Sequence, residues 1–482
     1  MTIDANTRAG GEVRLARNSV GLAHIVFFVV AAAAPLTAVA GASPVAFAFG
    51  NGAGVPGAFV LAGLLYIIFS AGFTAMSRHV GGAGAFYTYI SQGLGKPMGV
   101  AGAVMALVTY SSVQIAVYAL FGVFTAGAMA GLGLEAPWWA WSLAALAVVH
   151  LCGQRNISFS GKILGVAMVL EIAILLMLDV GILLRGGGPE GLSLENFAPS
   201  VVFSPGLGVA LVFVIGSFIG FESTAIFGEE ARDPDRTIPR ATYTAVLLIT
   251  GFYAFSTWAI AQHYGSSVIQ QTAEAGLETL YFNAAADVLG PWSVTAMEIL
   301  LIVSLFACVL SFHNTLNRYF FALGREGLIA KIFGKVSAAH GSPAAAGWLQ
   351  SAIAASILAI FIIGGADAYA VVFSWMSALA VLGILMVQFL VSLAIIAYFR
   401  RQHGHEHSIL VTRIMPALSV VGLGGAILLV SSNLELLSGS DSALVQSFPV
   451  LIALCGLAGF LFAMRIKSRQ PDLYKNLGAV FE

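Results

Sequence analysis

Charge is what this 482-residue chain has least of: 9% of its residues are Asp, Glu, Lys or Arg, against about 25% in an ordinary soluble domain. Since 59% of the residues are hydrophobic, a water-soluble fold is excluded. Cysteine is scarce as well. Cys152, Cys308 and Cys455 stand far apart, which gives neither a disulfide framework nor a metal-ligand spacing. There is no G-x-x-x-x-G-K-[ST] phosphate loop, which argues against ATP-driven work. There is also no H-E-x-x-H and no evident nucleophile–base pair, which argues against a membrane-embedded enzyme, and no repeated pore-lining segment of the kind a channel would show. The stretch Gly52–Gly57, GAGVPG, fits G-x-G-x-x-G but follows no strand, so it is not a nucleotide fingerprint. No cofactor, no resident metal and no nucleic-acid partner are expected.

What is present is a series of apolar runs, each near the roughly 20 residues that a helix needs to cross a bilayer. Twelve can be counted: 20–49, 57–77, 98–130, 138–152, 160–184, 205–228, 242–264, 291–322, 344–364, 368–399, 411–432 and 446–464. They do not alternate in polarity, which excludes a membrane β-barrel. The expectation is an all-α integral membrane protein embedded in the lipid bilayer. If residues 1–19 are a cytoplasmic tail, 21 of the 22 Lys and Arg fall on the cytoplasmic side and only Arg185 on the other. That is the bias of the positive-inside rule, and it places residues 465–482 inside too, in a multi-pass protein of the cell membrane. Residues 1–19 are polar and contain Asp4 and Glu12, unlike a signal peptide.

Two runs are interrupted. In the first, AAAAPLTAVAGASPVAFAFG carries Pro35, Gly41 and Pro44 in mid-span; the sixth is broken at Gly216 and Gly220. Transporters built from inverted repeats break the corresponding helix of each half and bind substrate between the breaks. The division expected is therefore a first repeat at 20–184, a second at 205–399 and two further helices at 411–464. Unwound backbone at membrane depth survives only against protein or water, where its free N–H and C=O groups can act as ligands. A half-helix N-terminus attracts a carboxylate, and C-terminal carbonyls attract an ammonium. Close packing by glycine and proline is the bland alternative for each break alone.

The segment SFIGFESTAIFGEEARDPDRTIPRA resembles the helix 6 signature of amino acid permeases in the amino acid-polyamine-organocation (APC) superfamily. GGAGAFYTYISQGLGKP and NRYFFALGREGLIAKIFGKV add to the resemblance, which covers nearly the whole chain. It implies the five-plus-five inverted-repeat fold with discontinuous helices 1 and 6, and alternating-access transport of an amino acid or related amine. It also implies substrate-binding stretches. Thr37, Ala38, Val39, Ala40 and Gly41 would offer amides to a carboxylate, although TAVAG departs from the family's G-S-G. Carbonyls of Gly216, Ser217, Phe218 and Ile219 would hold the amino group. Gly216 stands where the arginine/agmatine antiporter branch has an aromatic residue, so Phe218 or Phe312 would serve instead or the pocket would be roomier. On helix 8, Phe312, His313 and Asn314 fall near the family's substrate-facing position.

Four acids lie within the apolar runs: Glu171, Asp179, Glu222 and Glu298. Such groups are functional candidates by default. Glu222 follows the sixth-helix break, where it can cap the next half-helix, gate or take part in coupling. Glu171 stands where the resemblance implies a lysine in sodium-independent relatives. A carboxylate removed from water resists ionisation and can carry a proton near neutral pH, or it can bind a cation, so coupling to H+ or to Na+ is left open. Asp179 is expected to be a solvated cap, Glu298 a hydrogen-bonded acid, and His150 and His313 satisfied interhelical residues. His403, His405 and His407 read as a solvated basic loop rather than a metal site. The individual substrate and the oligomeric state are not encoded in any visible pattern.

Overall fold

The computed structural model describes residues 21–80, 85–155, 161–224, 231–337, 342–401, 408–438 and 442–477. The tail 1–19 and the histidines His403, His405 and His407 lie outside them. Among the described residues there is no strand. The chain starts with α1 (Leu22–Ala33), a π-helical turn (Thr37–Ala42) and α2 (Ser43–Phe49). It continues through α3 (Val55–Ser77), α4 (Ala85–Leu94), α5 (Lys96–Ala130), α6 (Trp138–Gln154) and α7 (Gly161–Leu184). The single turn α8 (Pro199–Val202) precedes α9 (Leu207–Gly216), and α10 (Pro234–Tyr264) follows the sixth-helix break. Then come α11 (Ile269–Ala275), α12 (Leu280–Leu289), α13 (Trp292–Arg325), α14 (Ala344–Ile363) and α15 (Ser374–Arg401). The last helices are α16 (Met415–Ser432), α17 (Leu434–Ser438), α18 (Ala443–Gln446), α19 (Phe448–Arg469) and α20 (Pro471–Asn476).

Ten helices among the described residues are long and apolar enough to cross a membrane. The broken segment 22–49 and the 17-residue α6 are apolar but shorter. The protein is therefore a multi-pass, all-α membrane protein. Its outward side chains agree with that: Val421 is 72% exposed, Leu428 73% and Ile363 86%, a surface suited to hydrocarbon rather than water.

Small residues let the helices meet closely, as membrane helices need when lipid is as apolar as their own side chains. A Cβ on Gly63 of α3 would collide with the Thr250 hydroxyl of α10, and one on Gly383 of α15 with the Thr109 hydroxyl of α5. Counting the twelve expected spans in order, the contacts repeat with an offset of five. The first packs on the seventh (α1 on α10), as the sixth packs on the second (α9 on α3). The fifth packs on the eighth (α7 on α13), as the tenth packs on the third (α15 on α5). The third and fourth (α5 and α6) pair as the eighth and ninth do (α13 and α14).

Candidate functional site

The first break lies earlier than expected. Proline lacks an N–H and disfavours helical geometry in the residue before it. Ala34, which precedes Pro35, leaves the helix; its φ of 47° is a left-handed value uncommon outside glycine, where the proline by itself would favour an extended one. The stretch Thr37–Gly41 is not unwound but forms most of the buried π-helical turn. The interruption follows from the proline and not from Gly41, whose carbonyl accepts the Tyr369 hydroxyl at 2.6 Å. Within the turn, Val39 and Ala40 are 0% and 3% exposed.

The second break lies where the glycines put it. Gly216 is the last residue of α9, a non-helical turn covers Ser217 to Gly220, and Gly220 has a φ of 115°. The carbonyls of Gly216 and Phe218 are taken by the amides of Ile219 and Phe221 at 3.1 and 3.2 Å. Those of Ser217 and Ile219 accept no backbone bond from the described residues. Glu222 closes the break: its Oε2 accepts the Gly220 amide at 2.9 Å and its Oε1 accepts the Tyr110 hydroxyl of α5 at 2.9 Å. It thus bonds backward into the turn. The continuation at 225–230 lies outside the described residues, so the expected cap on the following half-helix does too.

Both breaks border one cavity. Ala33, Ala34, Thr37, Ala38 and Ala42 line it from the first helix, and Val212, Phe213, Gly216, Ser217 and Ile219 from the sixth. Val113, Ala116, Val117 and Leu120 of α5 add an aliphatic wall; Cys308 and Phe312 come from α13, and Phe373, Ser377, Ala380 and Val381 from the start of the tenth span. The space measures about 620 Å³, part of it open to solvent. Among the described residues its lining contains no carboxylate, amine, guanidinium or imidazole. The side-chain polar atoms of the described lining are the hydroxyls of Thr37, Ser217 and Ser377 and the thiol of Cys308. Of the aromatic residues considered for the wall, Phe312 faces the cavity, whereas Phe218 is fully buried and stacks on Tyr66 of α3 at 4.9 Å.

His313 and Asn314 lie outside the lining. His313 is 1% exposed and faces His150, with ring centroids 6.3 Å apart. His150 Nδ1 meets the Ser351 hydroxyl at 2.9 Å, the interhelical bond expected of it. His313 lacks such a bond, for both its ring nitrogens are buried without a hydrogen-bond partner. Glu298 is half-buried, and its carboxylate makes no hydrogen bond among the described residues, unlike the hydrogen-bonded acid expected. Outside the membrane spans, burial and the negative charge of Asp367 raise the pKa of Glu278.

Glu171 lies behind the first break. It is 4% exposed, and its Oε2 accepts the Leu36 amide at 3.3 Å and the Ser304 hydroxyl at 3.0 Å. Thr37, a cavity residue, donates in turn to Ser304 Oγ at 3.2 Å. A short polar chain thus runs from the cavity wall to the carboxylate. Ser304, Cys308, Tyr110 and Tyr253 were not singled out from the sequence. One signal was available: Ser304, Cys308 and Phe312 recur every fourth residue, so placing Phe312 on the cavity puts the other two on the same face.

The sequence profile of the amino acid permease family matches residues 24–471. Over 256 residues the chain is 27% identical to the branched-chain amino acid permease BcaP of Lactococcus lactis, covering 52% of this chain and 50% of that one. It is 22% identical over 264 residues to the methylthioribose transporter of Bacillus subtilis, covering 54% and 53%. It is also 22% identical over 286 residues to the low-affinity putrescine importer PlaP of Escherichia coli, covering 58% and 61%. The chain spans about half the length of the first of these relatives.

Proposed function

The chain belongs to the amino acid permease family, and on that premise we propose that it is a secondary active transporter of neutral amino acids with apolar side chains. The observation that carries this is the cavity bordered by both helix breaks, whose described lining has no ionisable group except a thiol. Backbone would meet the charges of the substrate. Its carboxylate would lie at the start of the second half of the first helix, near Thr37 and Ala38, and its ammonium at the carbonyls of Ser217 and Ile219. The side chain would pack against Val113, Val117, Phe213 and Phe312. A polyamine or an arginine would bring a further cation into a lining that has no acid for it among the described residues. The three relatives are named for dissimilar substrates, so the lining and not their names supports this choice.

Alternating access would follow the five-plus-five repeat, which the offset of five in the helix contacts favours. Glu171 supplies the coupling group. When ionised it holds the Leu36 amide through a charge-assisted hydrogen bond and so ties the first break to α7. A proton on Glu171 weakens that bond and frees the break to move. Leucine uptake into proteoliposomes tests the reading: it should be driven by an inward proton gradient and be competed by apolar amino acids. Competition by putrescine or arginine instead would overturn the substrate class, and uptake driven by a sodium gradient at constant pH would replace the coupling ion.

A further inference from the structure

The buried face of α7 carries a second carboxylate that coupling through Glu171 alone does not use. Glu171, Ile174, Leu175, Leu178, Asp179 and Ile182 follow the spacing of one helix face, and none is more than 5% exposed. Eight residues at the rise of an α-helix put the two acids about 12 Å apart along the axis. Asp179 is not the solvated cap expected of it: it is 1% exposed, because α10 and α12 pack over this part of α7. Its Oδ2 accepts the Ser256 hydroxyl at 2.5 Å, while Oδ1 is buried with no hydrogen-bond partner. A buried, half-satisfied carboxylate is destabilising when charged, and a proton removes most of that penalty.

Helix α10 links the two acids. Ser256 and Tyr253 are one turn apart on it, and the Tyr253 hydroxyl donates to the Ala33 carbonyl at 3.0 Å. That carbonyl borders the break whose Leu36 amide holds Glu171. Beyond Asp179, the end of α7 reaches solvent. There Arg185 pairs with Asp287 at 3.3 Å, both half-exposed or more, and His263 Nε2 lies 3.9 Å from the same carboxylate. The elements packed around α7 carry further titratable side chains, among them Tyr253, His263 and Tyr264 on α10, Tyr281 and Asp287 on α12, Glu298 and Cys308 on α13, and His24 near the start of α1.

We propose that Asp179 is a proton-binding station between the exposed end of α7 and Glu171, so that protons reach the coupling acid along the α7–α10 interface and not through the substrate cavity. A proton from solvent binds the ionised Asp179 at Oδ1, and its transfer inward to the ionised Glu171 leaves Asp179 ionised again and Glu171 neutral. The hydroxyls of Ser256 and Tyr253 line the route. This rests on the reading of Glu171 as the coupling group, and the positive-inside orientation makes the exposed end of α7 extracellular.

The test uses the full chain in proteoliposomes, with radiolabelled leucine as substrate probe and a trapped pH dye as proton probe. Asp179→Asn should slow leucine uptake driven by an inward proton gradient about 100-fold, the lower end of the scale of losing a positioned proton-transfer group. Leucine–leucine exchange at uniform pH should stay within about twofold, since no substrate contact is lost. Ser256→Ala should give an intermediate slowing, and the dye should report proton entry falling in step. Gradient-driven uptake at the parental rate in Asp179→Asn would overturn the proposal. Should that variant lose exchange as well, Asp179→Glu decides: restored proton entry supports the station, and continued loss makes Asp179 a structural acid. Failure of the premise looks different, because Glu171→Gln would then keep gradient-driven uptake whatever Asp179→Asn does.

Discussion

The two helix breaks face the same cavity but are made by different means. The break at Ala34 is forced by a proline on a residue that resists the conformation, and it is held from outside by Glu171, 135 residues away in sequence. The break after Gly216 is made by glycines that adopt it freely, and it is closed by its own Glu222 with one partner, Tyr110. A strained break tied to a distant acid is suited to move when that acid changes charge; a relaxed break that caps itself is suited to hold still. The proposed function accordingly gives the first break to coupling and to the substrate carboxylate, and the second to the substrate ammonium.

Filling the second break should have the largest effect. A Cβ on Gly216 would meet only Val381 Cγ2, at 3.6 Å, so the backbone tolerates a side chain there while the cavity does not. Gly216→Phe should lower leucine affinity about 100-fold, as overpacking by 1–3 kcal/mol implies, with expression and fold retained in a size-exclusion profile. Next come paired substitutions with opposite signs in stability. Pro35→Ala lets Ala34 relax from a left-handed φ, which relieves about 1–2 kcal/mol, so melting temperature should rise while uptake slows about tenfold. Gly220→Ala puts a Cβ at a φ of 115° and should lower the melting temperature. If both changes move stability in the same direction, the contrast between a strained and a relaxed break is lost. The smallest effect on uptake is expected from Tyr110→Phe, which leaves Glu222 Oε1 without its donor and should lower the melting temperature. Its pH profile of uptake should match that of the parent.

These differences also mark what was legible in the sequence. The apolar runs and the glycine break were legible because hydrophobic length and backbone freedom are local properties. Gly216 and Gly220 stand in the chain where they act. The first break was legible only in part, because Pro35, Gly41 and Pro44 all interrupt the run and nothing local ranks them, whereas the break sits at Ala34, just before Pro35. The burial of Asp179 is not legible in the sequence, because its place near the helix end is a local property and its covering by α10 and α12 is not. Ser304, Tyr110 and Tyr253 owe their importance to partners on other helices, which neither spacing nor composition reveals.

The link between Glu171 and the first break is tested most directly by measuring proton and leucine fluxes together in proteoliposomes, for the parent and for Glu171→Gln, across external pH. In the parent, leucine uptake should rise as external pH falls, with protons entering alongside. Glu171→Gln should retain leucine exchange, lose proton entry by about two orders of magnitude and show a rate independent of pH. A variant that still moves protons with leucine, on an unaltered pH profile, would contradict the assignment of coupling to this carboxylate.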